Sequence, residues 1–237
     1  MKILQVLPSF HPSWGGPFTL VNSISKTLAK KGYDITILTS LSDSRDQIAD
    51  IEDFEGIKFH FVRNYFSLQN YNLLFGLDLL RFLRNTIKEF DIIHLQGYRN
   101  LQTLFTQHYA QKFHVPYILQ AHGTLPRILG KSSLKRFFDL IFGYKMLKGA
   151  TKVIAINEPE AMQYLSMGVS ENRIEIIPNG IDFSQFQDLP TRGYFRTKFS
   201  IASNQKVVLS LGRIHKIKGL DVLIKAFANV LKTIRLS

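Results

Sequence analysis

Short apolar runs separated by segments of helical period recur along most of the chain, and no other feature limits its fold as tightly. The runs at 3–7, 34–39, 57–62, 91–95, 116–121, 152–156 and 173–177 have the length and apolar content of buried strands. The first intervening helix enters through Gly15-Gly16 and Pro17, a favoured first-turn residue, buries Val21, Ile24 and Leu28, and stops at Gly32. Further helices are expected over 73–90, with Leu74, Leu77, Leu80 and Ile87 on one side, and over 101–113, 132–148 and 158–167. Alternation at this spacing predicts an α/β fold with a doubly wound parallel sheet, whose ligands collect beyond the carboxyl ends of the strands. That rule selects the loops 8–17, 96–100 and 122–130.

Pro178-Asn179-Gly180 is a turn signal where the pattern ends. Residues 1–178 therefore read as one Rossmann-like domain, 179–205 as a linker with a short helix at 194–199, and 206–237 as the start of a second domain. The segment 206–232, KVVLSLGRIHKIKGLDVLIKAFANVLK, reads as a short strand, a turn and an amphipathic helix with Leu220, Leu223, Ile224, Phe227 and Val230 on one face. The turn lies at the positive end of the helix dipole. Arg213 and Lys218 add full charges beside free backbone N–H groups around Gly219, a combination suited to a pyrophosphate.

The stretch GRIHKIKG fits the G-R-x4-K-G motif, and with the preceding domain it resembles the retaining glycosyltransferases of family 4, which have the GT-B architecture. The resemblance implies transfer of a sugar from a nucleoside-diphosphate sugar, the only co-substrate, to an acceptor hydroxyl, with retention of configuration and no bound metal or other cofactor. It implies that residues 1–178 form the acceptor-side domain and that Arg213, Lys218 and Gly219 bind the donor phosphates. Family members continue for a further domain's worth of chain and carry two glutamates eight positions apart there. No Glu in this sequence is followed by another at that spacing. The expectation is a truncated form with weak or absent transferase activity on its own.

Other residues gain meaning beside that resemblance. Gly15 and Gly16 admit close approach of a ligand because no Cβ intervenes, and the family has a glycine-rich loop here over donor and acceptor; an ordinary turn is the plain alternative. His122, in QAHGTLP, occupies a place where the family commonly has a histidine contacting the transferred sugar, which makes it the candidate catalytic-site residue; a packed or capping role stays open. In DIIHLQGYRN, Gln96 stands where many members have a second histidine, so His94 reads as structural and Gln96 as at most a weak acceptor contact. Asn157 and Glu160 read as a helix N-cap and its capping-box partner, without a catalytic role.

Charge supplies the remaining clue. The 237 residues carry a formal charge of +12, which calls for anionic company. Between 127 and 152 stand seven basic residues, among them Arg127, Lys131, Lys135, Arg136, Lys145 and Lys148, against the single acid Asp139. Leu134, Phe137, Phe138, Ile141 and Phe142 interleave with them, so this helix either rests on an anionic leaflet or packs on its own domain through those aromatics. No groove-reading module argues for nucleic acid. With no cysteine, no long apolar run and a first strand too short for a signal peptide, the chain reads as cytoplasmic, docking peripherally on the inner face of a membrane. A saccharide or lipid-linked acceptor follows as the expected partner. The competing class is a non-catalytic module that binds anions or acidic membrane. A nucleotide-sugar epimerase would need a dinucleotide fingerprint after the first strand and a Tyr-Lys pair at helical spacing, whereas Tyr144-Lys145 is adjacent.

Overall fold

The structure, a computed structural model, describes residues 1–12, 15–40, 56–62, 66–68, 73–75, 77–127, 132–181, 183–212 and 214–233. Contacts divide the chain into two compact units, residues 1–182 and 183–237. In chain order the first contains β1 (Lys2–Ser9), α1 (Gly16–Lys30), β2 (Asp34–Ser40), β3 (Ile57–Val62), β4 (Phe66–Leu68), β5 (Leu73–Phe75) and α2 (Leu77–Thr86). There follow β6 (Ile92–Gln96), α3 (Leu101–Lys112), β7 (Tyr117–Gln120), α4 (Ser132–Phe138), α5 (Tyr144–Gly149), β8 (Lys152–Ala155), α6 (Glu158–Ser166) and β9 (Ile174–Ile176).

Seven strands form one sheet in the order β3-β2-β1-β6-β7-β8-β9, and every pairing in it is parallel. This is the doubly wound sheet expected from the alternation of elements. The strands read as almost unbroken apolar runs because both faces are covered. Ile3, Leu7, Ile35 and Ile37 pack on one side with Val21 of α1, while Leu4, Val6, Leu38, Ile93, Leu95 and Leu119 face the opposite core. The chain leaves β1 toward β2 and β3, then returns to place β6 on the other side of β1. That reversal makes a crevice at the carboxyl ends of β1 and β6, the place where such sheets take ligands.

Two helical readings change. The expected helix over 73–90 begins only at Leu77, because Leu73–Phe75 pairs antiparallel with Phe66–Leu68. Its core face is Leu79, Leu83 and Ile87, with Leu77 70% exposed. Ile87 is buried as expected, while Leu79 and Leu83 face inward in place of Leu77 and Leu80, so the period was right and the phase differs at the start of the helix. The basic helix runs on from α4 through a π-helical segment, Asp139–Gly143, into α5. Gly143 is required at its end, since a Cβ there would collide with the Tyr98 hydroxyl.

The second unit holds α7 (Tyr194–Lys198) and α8 (Leu220–Thr233). Arg196 closes the turn after α7 by donating to the carbonyls of Ala202 and Gln205 at 2.8 and 3.0 Å. The helix expected near the carboxyl end is present. The strand expected before it is not: residues 206–211 form no ladder, and Val208, Leu209 and Leu211 are exposed. A strand needs a neighbour to accept and donate its backbone hydrogen bonds, and among the described residues of this unit none pairs with it.

Candidate active site

The site grows from β1, β6 and β7, which lie side by side. Gln5 stands on β1 and Gln96 ends β6. Register sets Gln96 opposite Gln120, so the residues just after β7 emerge beside it. There the chain makes a tight reversal: His122 has φ 54°, Gly123 has φ 71°, and the Thr124 N–H returns to the Ala121 carbonyl at 3.2 Å. A left-handed conformation costs a non-glycine residue about 1–2 kcal/mol, so something must hold His122 there.

Several buried groups do so. The His122 ring lies with Nε2 2.7 Å from Gln96 Oε1, and Gln96 Nε2 donates to Gln5 Oε1 at 2.9 Å. Because the Gln96 amide spends its N–H on Gln5, its oxygen is the acceptor for His122, which therefore carries its proton on Nε2. Nδ1 is left with the lone pair. Burial pushes the His122 pKa down to about 4, so the ring is neutral near pH 7. The Tyr164 hydroxyl accepts from Ala121 N at 2.9 Å and donates to the Ile154 carbonyl at 3.2 Å. Glu160, 3% exposed, accepts from Gly123 N at 2.7 Å and from Ile156 N at 2.8 Å.

Beneath the following loop sits a second charged group. Asp139, fully buried, accepts from Arg99 Nε and Nη2 at 2.9 and 2.8 Å and from Arg127 Nε at 2.8 Å. Arg99 also donates to the carbonyls of Thr124 and Leu125, so it ties the loop after His122 to the π-helical segment. Burial alone would raise the Asp139 pKa, but the hydrogen bonds from the two guanidinium groups hold it below the ordinary value of 3.8.

The candidates named from the sequence fall into separate groups. His122 joins Gln96 at the carboxyl edge of the sheet; Gly15, with φ 66°, ends the loop that follows β1 on the same edge as the N-cap of α1, and Gly16 is the first residue of that helix. A Cβ at either glycine would meet nothing within 4 Å, so only the backbone angle of Gly15 calls for glycine. Lys218 and Gly219 belong to the second unit; Lys218 is exposed and Gly219, with φ 62°, opens α8. Arg213 and Lys131 lie outside the described residues. Arg127, read as a surface cation, is instead committed to Asp139. His94 is 5% exposed, its pKa lowered to about 3 chiefly by burial and further by the neighbouring His122.

Gln96, Glu160, Arg99 and Asp139 were undervalued or unnoticed in the sequence. Gln96 is no weak contact but the group that fixes the His122 tautomer, and finding it requires knowing that β6 and β7 are neighbours in register. Asn157 does cap α6, its Oδ1 accepting from Glu160 N at 3.0 Å, but the Glu160 carboxylate reaches Gly123 and Ile156 where a capping box would turn it back to Asn157.

Residues 14–185 match the family described as Glycosyltransferase Family 4. The chain belongs to glycosyltransferase family 4. This family 4 chain is 22% identical over 232 residues to a D-inositol 3-phosphate glycosyltransferase of Kineococcus radiotolerans, covering 92% of its own length and 52% of that protein. It is 34% identical over 89 residues to the D-inositol 3-phosphate glycosyltransferase of Gordonia bronchialis, 37% of this chain and 19% of the relative. Its fold matches Anabaena HepE, crystallised with UDP and glucose, at a TM-score of 0.69 and 18% identity over 97% of this chain and 58% of that one. A glycosyltransferase of Rickettsia africae matches at a TM-score of 0.66 and 22% identity, with 97% and 57% covered. The family 4 chain thus spans about half the length of the long relatives it matches, and its sheet is the Rossmann-like half of a GT-B fold.

Proposed function

We propose that the protein acts in the transfer of a sugar from a nucleoside-diphosphate sugar to an acceptor hydroxyl, with retention of configuration and without a resident metal or other cofactor. The observation that carries the reading is the chain Gln5–Gln96–His122, which runs from the middle of β1 to the carboxyl ends of β6 and β7, in a family 4 domain. It leaves Nδ1 of a neutral imidazole as an acceptor for a sugar hydroxyl. His122 would orient the sugar as a neutral acceptor, because its pKa near 4 leaves the ring uncharged near pH 7. As the bond from sugar to phosphate breaks, negative charge grows on the leaving diphosphate. Arg213, Lys218 and the N-terminus of α8 are the groups that would meet it. HepE was crystallised with UDP-glucose, which makes that donor the first to test.

The acceptor we infer is a lipid-linked or polysaccharide hydroxyl at the cytoplasmic face of a membrane. Among the described residues no helix is long and apolar enough to cross a bilayer. The helical stretch 132–149 supports peripheral docking: Asp139, Gly143, Met146 and Leu147 face inward, while Leu134, Phe137, Leu140 and Ile141 are 47–65% exposed beside exposed Arg136, Lys145 and Lys148. Of the aromatics interleaved with these charges, Phe137 and Phe142 are exposed, while Phe138 packs edge-on against Tyr98. Each basic side chain near an acidic leaflet is worth about 1 kcal/mol, so several of them suffice for reversible attachment. Titration with UDP-glucose and the corresponding guanosine and adenosine donors tests the assignment. Binding should fall at least tenfold in an Arg213→Ala, Lys218→Ala double variant; unchanged binding there would overturn it. Sedimentation with phosphatidylserine vesicles should be lost in Phe137→Ser, Lys145→Glu protein, and retention would remove the membrane.

A further inference from the structure

We infer that Glu160 is a positioning residue for His122: its buried carboxylate locks the His122-Gly123 reversal so that the imidazole is presented in one tautomer beside the sheet. The inference rests on the proposed role of His122 and concerns what makes that role possible.

The geometry is specific. Glu160 is the third residue of α6, where a capping carboxylate would normally return to its own helix start. Here one oxygen takes Ile156 N, the last amide before the cap, and the other crosses to Gly123 N in the loop after β7. The carboxylate thus bridges the ends of two neighbouring strands, β7 and β8. Two successive positive φ values, at 122 and 123, form the reversal, and Glu160 accepts the Gly123 N–H at 2.7 Å although Gly123 itself is exposed, so that without the carboxylate this amide would turn to water. Tyr164, one turn further along α6, holds the amide two residues earlier, Ala121 N, so a single helix grips the reversal at two points. On its other side Gln96 fixes Nε2. Helix and strand together hold both the reversal and the ring, through Gly123 N and His122 Nε2. Glutamine at 160 keeps the shape but offers one oxygen where two amides need one each, and its NH₂ would oppose a donor.

The test is nuclear magnetic resonance on the parent chain and on Glu160→Gln. In the parent, the Gly123 amide should be protected from exchange at least tenfold and the His122 ring should show a single Nε2–H tautomer. In Glu160→Gln, Gly123 should lose its protection and the ring should sample both tautomers, while Gly32, in a turn remote from α6, keeps its parent exchange. A role confined to capping would instead lower the melting temperature and expose Ile156 N without touching Gly123 or the His122 ring, and that result would overturn the inference. Should the variant fail to fold, the parent still decides: an unprotected Gly123 amide refutes the lock. If the lock is confirmed but His122→Ala leaves sugar-donor binding intact, the functional reading fails and the positioning does not.

Discussion

Asp139→Asn isolates the charged group under the His122 loop. The substitution exchanges one oxygen for NH₂ at almost constant volume, so packing against Tyr98 and Gly143 is kept. Three charge-assisted bonds end on the carboxylate, two from Arg99 and one from Arg127. Asparagine has one acceptor oxygen, and its NH₂ would face a guanidinium. Arg99 is only 11% exposed and keeps a charge without its counter-charge; Arg127, at 35%, can turn to water. Removing one partner of a buried pair costs about 3–5 kcal/mol, and the escape open to Arg127 places this case at about 3 kcal/mol. For a unit of this size that is a fall of roughly 6–12 °C in melting temperature. Denaturant unfolding should show a lower midpoint at unchanged slope. The folded-state pKa of Asp139 is depressed, so its contribution is present above the unfolded value of 3.8 and is lost as pH falls through the lower folded value. The gap between parent and variant should therefore close in strong acid. A loss below about 1 kcal/mol near pH 7 would show that the trio is a solvated surface cluster, and the reasoning would fail.

Two further outcomes follow from the same site. Tyr164→Phe removes the acceptor of Ala121 N and the donor to the Ile154 carbonyl; leaving a buried amide without a partner should cost about 1–3 kcal/mol by denaturant titration, and an unchanged midpoint would contradict the geometry. His122 and His94 are both neutral in the fold, with pKa values about 4 and about 3 against an ordinary 6.5. The unfolded chain binds protons first, so stability should be full above about pH 6.5 and decline as pH falls toward those values; His94→Gln should flatten that decline, and a parallel acid limb would refute it.

Much of this was open to inspection in the residues themselves. The doubly wound sheet follows from apolar runs alternating with helical periods, since strands covered on both faces leave that trace whatever their partners. Pro17 at a helix start, Asn157 as a cap and the loops at the strand ends were legible for the same reason: each depends on groups a few positions apart. What lay beyond reach depended on which elements become neighbours. The phase of α2 was decided by the face that met the core, and the pairing of Leu73–Phe75 with Phe66–Leu68 by a partner the period cannot reveal. In the sequence Arg127 reads as one more surface cation, and only the fold sets Asp139 against it. Gln96 and Glu160 seemed minor because their partners, His122 and Gly123, are 26 and 37 residues away in sequence. Local order is written by short-range sterics and backbone hydrogen bonding, and the chain states it directly. The site is made by register between strands distant in sequence, because a buried polar atom takes its partner from whatever the packed sheet sets within about 3 Å.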